Sequence, residues 1–126
     1  MKRVLFLTMA ICASSQPVIA ASSALYFSCP TLDERADDLK VVLDQANGTA
    51  SLQTEKLGEG LNFTSPASFG PQQVTWRNQS KSYPQKFSID RVTMVLKRET
   101  TSTMTGSVSL DTSPCSMVKP PSGAKF

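Results

Sequence analysis

The chain has 126 residues, with 13 Lys and Arg against 10 Asp and Glu and no histidine. A missing imidazole excludes Ser-His-Asp and Cys-His catalysis and removes the commonest zinc and copper ligand. So small an excess of positive charge argues against a basic surface built for nucleic acid, and the length fits one domain.

In chain order, the first predicted feature is a secretory leader. Met1-Lys2-Arg3 is a positive start, Val4 to Ala13 is an apolar run, and Val18-Ile19-Ala20 is a small-residue cleavage motif. The run is shorter than the ~20 residues that a membrane-spanning helix needs. No second run of that length follows, so no membrane insertion is expected of the mature form. Ile11 occupies the position where a lipid-modified Cys12 would want a small neighbour. Cleavage after Ala20 removes Lys2, Arg3 and Cys12 and leaves 11 bases against 10 acids. It also leaves Cys29 and Cys115, which in an oxidising periplasm or outside the cell are expected to form one disulfide across nearly the whole domain. The predicted organisation is a leader over 1–20, a single β domain over 21–118 and a Pro-containing tail over 119–126.

Leu25 to Cys29 reads as a first strand stopped by Pro30. Residues 31–46 carry two patterns. Leu32, Ala36, Leu39, Leu43 and Ala46 fall at helical spacing, whereas Leu39, Val41 and Leu43 alternate as a strand does. The adjacent valines and the turn pair Asn47-Gly48 favour a hairpin returning through Thr49 to Gln53, with 31–37 left as an acidic loop or a single helical turn. Leu61 to Thr64 alternates and is broken at Ser65-Pro66, and Ala67 to Phe69 is a short continuation. Gly70-Pro71 marks a turn. Gln73 to Arg77 is the next strand, followed by a polar loop from Asn78 to Pro84. Lys86 to Ile89 and Met94 to Arg98 form a hairpin around Asp90 to Thr93, where an Asp90–Arg91 ion pair would order the turn. The Ser/Thr run 100–105 suits an exposed strand or loop. Gly106 to Asp111 is the last strand, with Val108 and Leu110 facing inward.

Seven or eight short strands with turn signals every eight to twelve residues predict an all-β fold, a small antiparallel barrel or sandwich. The expected core is Tyr26 or Phe27 with Leu39, Val41, Leu43, Leu52, Phe63, Phe69, Val74, Trp76, Phe87, Ile89, Leu96, Val108 and Leu110.

Charge is segregated. Positions 33–59 hold seven acids and three bases, and positions 77–99 hold six bases and two acids. The acids at 33, 34, 37 and 38 match no calcium-loop spacing and read as a solvated loop, so no metal site is expected. No phosphate-binding glycine loop is present, and no cofactor is expected. The basic stretch with its aromatic neighbour gives the candidate binding patch: Arg77, Lys81, Tyr83 and Lys86. Trp76, flanked by Val74, reads as core.

Several features resemble small uncharacterised secreted proteins of bacteria and their phages. These are the Tyr26-Phe27-Ser28-Cys29 start, the Leu43-Asp44 hairpin running to Gly48-Thr49, the Val74-Thr75-Trp76 strand, Ile89-Asp90-Arg91 before a hairpin, the closing Cys115 and the tail ending at Phe126. That resemblance implies no transferable activity. The disulfide-tied β layout is also similar to periplasmic inhibitors of c-type lysozyme. Their Ser-Gly-x-x-Tyr segment is missing, since Ser122-Gly123 has no tyrosine after it. The resulting expectation is a periplasmic or secreted, non-enzymatic binding or inhibitory module, with a structural or assembly component of the envelope as the alternative. Its expected partner is an envelope or extracellular protein or glycan, and not nucleic acid.

Overall fold

The computed structural model describes residues 24–57 and 59–120. The expected leader, Cys12 and the tail beyond Pro120 lie outside them. Nine strands follow one another: β1 (Leu25–Ser28), β2 (Lys40–Asp44), β3 (Thr49–Gln53), β4 (Phe63–Phe69), β5 (Gln73–Asn78), β6 (Gln85–Asp90), β7 (Val95–Thr101), β8 (Val108–Pro114) and β9 (Ser116–Val118). The described residues contain no α-helix, only one 3-10 turn at Glu59–Leu61. All pairings are antiparallel, in the order β8-β7-β6-β5-β4-β3-β2-β1-β9. Only Cys115 separates β8 from β9. The last two strands are therefore one path that leaves β7 and then pairs with β1, nearly closing the meander into a barrel.

Prolines mark both corners of this barrel. Residues 63–66 of β4 pair with β3 and residues 67–69 pair with β5. Pro66 sits at the change of partner, where its missing N–H breaks no continuous ladder. The expected break at Ser65-Pro66 is thus a corner within one strand. Pro114 precedes the second corner, where Cys115 forms the expected disulfide with Cys29.

Alternation sets the core. Ala50 and Leu52 of β3, Val74 and Trp76 of β5, Phe87 and Ile89 of β6, and Leu96 of β7 point inward and are buried. β8 reverses the expected orientation. Val108 and Leu110 are exposed, whereas Ser113 is buried and Asp111 half-buried. The cause is electrostatic. The inward residue of β7 facing this strand is Arg98, and its guanidinium donates to the Asp111 carboxylate at 2.8 and 3.1 Å. A buried cation needs that partner more than the core needs two further apolar side chains.

The strand reading of residues 40–44 holds, and the helical spacing before them has a different origin. Residues 29–39 fold as successive turns over the upper end of the barrel and bury Leu32, Ala36 and Leu39. Leu61 from the β3–β4 connection joins them in one cluster. Thr31 is tied to Ser113 by bonds of 3.0 and 3.2 Å to its hydroxyl, which fixes this plug to β8. The hairpin at Asn47-Gly48 has four loop residues between the Asp44–Thr49 pair. The Asp44 carboxylate accepts from the Asn47 backbone and side-chain amides at 3.1 and 2.7 Å, and of the two turn residues only Gly48 takes a positive φ, 66°. Side-chain capping therefore replaces the two-residue turn that the Asn-Gly pair predicts.

Candidate functional site

β4 parts from β5 beyond the Ala67–Trp76 pair, because its first half follows β3 while β5 continues along β6. The parting leaves a cleft of about 900 Å³ that runs from Phe63 and Pro66 onto the outer face of β5, β6 and β7. Its outer floor carries Ser68, Thr75 and Ser88, short hydroxyl side chains that keep the surface low. Longer side chains rise around them: Arg77, Lys86, Lys97 and Glu99.

Trp76 lines the cleft from the core side. Its ring stacks on Phe87, with centroids 5.6 Å apart and planes 3° from parallel, and Phe63 meets the other partner, Phe87, at 5.7 Å. This explains why the indole is buried, as its alternation with Val74 predicts. The indole N–H, however, is buried without a hydrogen-bond acceptor among the described residues. Such a donor costs on the order of 1–3 kcal/mol in the unbound protein.

The cations sit side by side. Arg77 on β5 is the register partner of Lys86 on β6, and Lys86 in turn faces Glu99 on β7. None of the three makes an ion pair with another described residue. Like charges directly opposite on adjacent strands oppose the pairing. With Lys97 included, three cations and one carboxylate border the cleft.

Two of the four residues in the sequence-derived patch, Arg77 and Lys86, are thus neighbours at this cleft. Lys81 and Tyr83 lie on the 79–84 loop and do not line it. That loop is held to the β7–β8 hairpin by Thr103, whose N–H donates to the Ser82 carbonyl at 3.1 Å and whose hydroxyl donates to the Lys81 carbonyl at 3.0 Å. No sequence signal marks the cleft itself. It arises where one strand changes partner, and periodicity within a single strand does not register that change.

Within the acidic run Glu34 and Asp37 are exposed, as the expected solvated loop requires, but Asp33 is not. Asp33 is buried and accepts from Arg35 at 2.9 and 3.0 Å and from Arg98 at 3.4 Å. The Arg35 guanidinium, and then that of Arg98, hold its carboxyl well below the usual carboxylate range despite its burial. Asp37 pairs with Lys56, and Asp38 accepts from the Thr54 hydroxyl and the Glu55 N–H. Among the described residues no group of three or more potential ligands is placed to hold a metal ion. The Asp90–Arg91 turn is likewise ordered differently from expectation. Asp90 accepts the N–H groups of Val92 and Thr93 at 2.8 and 2.9 Å, and these bonds, Thr93 first, lower its pKa.

No family model, curated protein or solved structure matches the chain. Among the described residues no helix is long and apolar enough to cross a membrane.

Proposed function

We propose that the protein is a secreted, non-enzymatic binding module whose β4–β5 cleft takes an anionic, acceptor-rich group of an envelope or extracellular glycan or protein. The observation that carries this reading is the Arg77–Lys86 register pair. Two adjacent cations repel across the β5–β6 pair, Glu99 flanks only Lys86 and forms no ion pair with it, and a bound anion reverses that repulsion. Trp76 borders the same cleft from the core side. The hydroxyls of Ser68, Thr75 and Ser88 add neutral hydrogen-bonding groups suited to a sugar or peptide. Among the described residues only one carboxylate, Glu99, lines the cleft. Glycoside hydrolysis calls for two, and the chain has no histidine to act in their place.

Trp76 is the single tryptophan of the chain, so its fluorescence reports on the cleft. Titration of the oxidised protein with acidic oligosaccharides such as oligogalacturonate, and with acidic peptides, is expected to give a saturable change that weakens as salt rises. Neutral oligosaccharides of the same length are expected to give none. The Arg77→Ala/Lys86→Ala protein is expected to lose the response. A response that survives this double substitution, or none to any anionic ligand, would count against the reading.

One observation favours the alternative of an envelope assembly component. Among the described residues β8 has a single strand partner, and its outward face exposes Val108 and Leu110. Such an edge is a template for pairing with another copy. A concentration-dependent dimer in size-exclusion chromatography, abolished by Leu110→Lys, would support that role.

A further inference from the structure

We propose that the lower mouth of the barrel is a second, separate site, which takes the apolar tail of a small anionic amphiphile and pairs its head group with Arg91. The upper end is filled by Leu32, Ala36, Leu39 and Leu61. Among the described residues the lower end has no such plug, and a hollow of about 340 Å³ opens there. Phe27, Leu43, Phe69, Val74 and Ile89 form its wall, each from a different strand, so the hollow is ringed by the barrel. Leu25, Met94 and Met117 continue the apolar surface to the rim. The mouth of a β-barrel is a common ligand site, and this volume lies at the low end of the range of roughly 300–1,000 Å³ for such pockets.

Two observations define the ligand. The first is the charge at the rim, where Gln45, Asp90 and Arg91 are the polar residues. The Asp90 carboxylate is already committed to the N–H groups of Val92 and Thr93. The exposed Arg91 guanidinium makes no ion pair among the described residues. An uncommitted cation beside an apolar hollow fits a carboxylate or sulfate on a hydrocarbon chain. The second is the backbone of Met94, with φ at 58°. A left-handed conformation is uncommon for any residue but glycine, and where it persists the surroundings must hold it. Here the Met94 N–H donates to the Asp90 carbonyl at 2.9 Å, and the Met94 carbonyl accepts from the Cys115 N–H at 2.9 Å. The strained turn sets a flexible thioether, able to fit varied apolar shapes, at the opening.

The three methionines of the mature region provide the test. Met94 and Met117 line the mouth, whereas Met104 lies on the β7–β8 hairpin at the opposite end and is 88% exposed. Oxidised protein labelled with 13C at the methionine methyls is titrated with decanoate below its micellar concentration, and with decanol as the uncharged control. Saturable shifts of Met94 and Met117 with Met104 unmoved are expected. Arg91→Glu is expected to weaken decanoate roughly fivefold or more while leaving decanol unchanged. Its backbone N–H bond to the Gln72 carbonyl survives the change. Absence of shifts, equal shifts of all three methyls, or an unchanged decanoate affinity in Arg91→Glu would each overturn the proposal.

Discussion

Arg98 on β7 reaches Asp33, 65 residues earlier in the chain, through both terminal guanidinium nitrogens at 3.4 Å. The same guanidinium holds Asp111 on β8. One side chain thus fastens the plug at the upper end to two strands of the barrel wall.

Asp33→Asn is expected to destabilise the protein by about 2 kcal/mol, because Arg98 stays buried with only the half-buried Asp111 to balance it. Chemical denaturation of the oxidised protein, read at constant m-value, measures the loss. Arg98→Met, which removes the buried charge itself, is expected to cost less than its contacts alone imply.

Stability is expected to fall on the acid side. The folded-state pKa of Asp33 is depressed, chiefly by Arg35. Its contribution is therefore complete at neutral pH and is lost progressively once the pH drops below the ordinary carboxylate range near about 4. Asp38 and Asp90 are lowered by hydrogen-bond donors and act in the same direction. Thermal melts between pH 7 and 2 should show this decline, and Asp33→Asn should flatten it.

Reduction should be severe. The Cys29–Cys115 bridge spans 86 positions, and the chain-entropy relation assigns a loop of that size at most about 4.5 kcal/mol. A Cys29→Ser/Cys115→Ser protein should unfold at much lower denaturant. Near-normal stability there would show that the bridge contributes little.

Leu96 and Leu110 look equivalent in sequence and are opposite in the fold, one buried and one exposed. Leu96→Ala is expected to cost about 2–5 kcal/mol. Leu110→Thr should stay within about 0.5 kcal/mol. Equal costs would mean that β8 turns its other face inward.

Trp76→Phe removes the unpartnered indole N–H while keeping an aromatic ring against Phe87. The loss of ring volume and the loss of an unsatisfied donor oppose each other, so a cost of about 1 kcal/mol is expected. Binding of anionic ligands, followed calorimetrically in this tryptophan-free variant, should persist, because Arg77 and Lys86 are untouched.

The strands were legible wherever a strand has one wet and one dry face. β5 and β6 are plain examples, with Val74, Trp76, Phe87 and Ile89 all read correctly as core. β8 misled because its inner face answers to Arg98, a residue on another strand. Leu32 and Ala36 misled differently, since their helical spacing belongs to turns draped over a barrel end. Arg77 and Lys86 were visible as a run of charge, and their direct juxtaposition required the register of β5 against β6. The lower mouth left no trace in any local pattern, because its wall takes one residue from each of several strands.

The seam between β1 and β9 has a consequence for biogenesis. Without β8 and β9, a sheet of β1 through β7 would have two free margins and no segment to join them. Completion waits for Ser116–Val118, the last of the described strands, so the final topology can be reached only after all nine have emerged. A chain that stays open this late remains easy to thread in extended form, which is compatible with the export proposed for this protein.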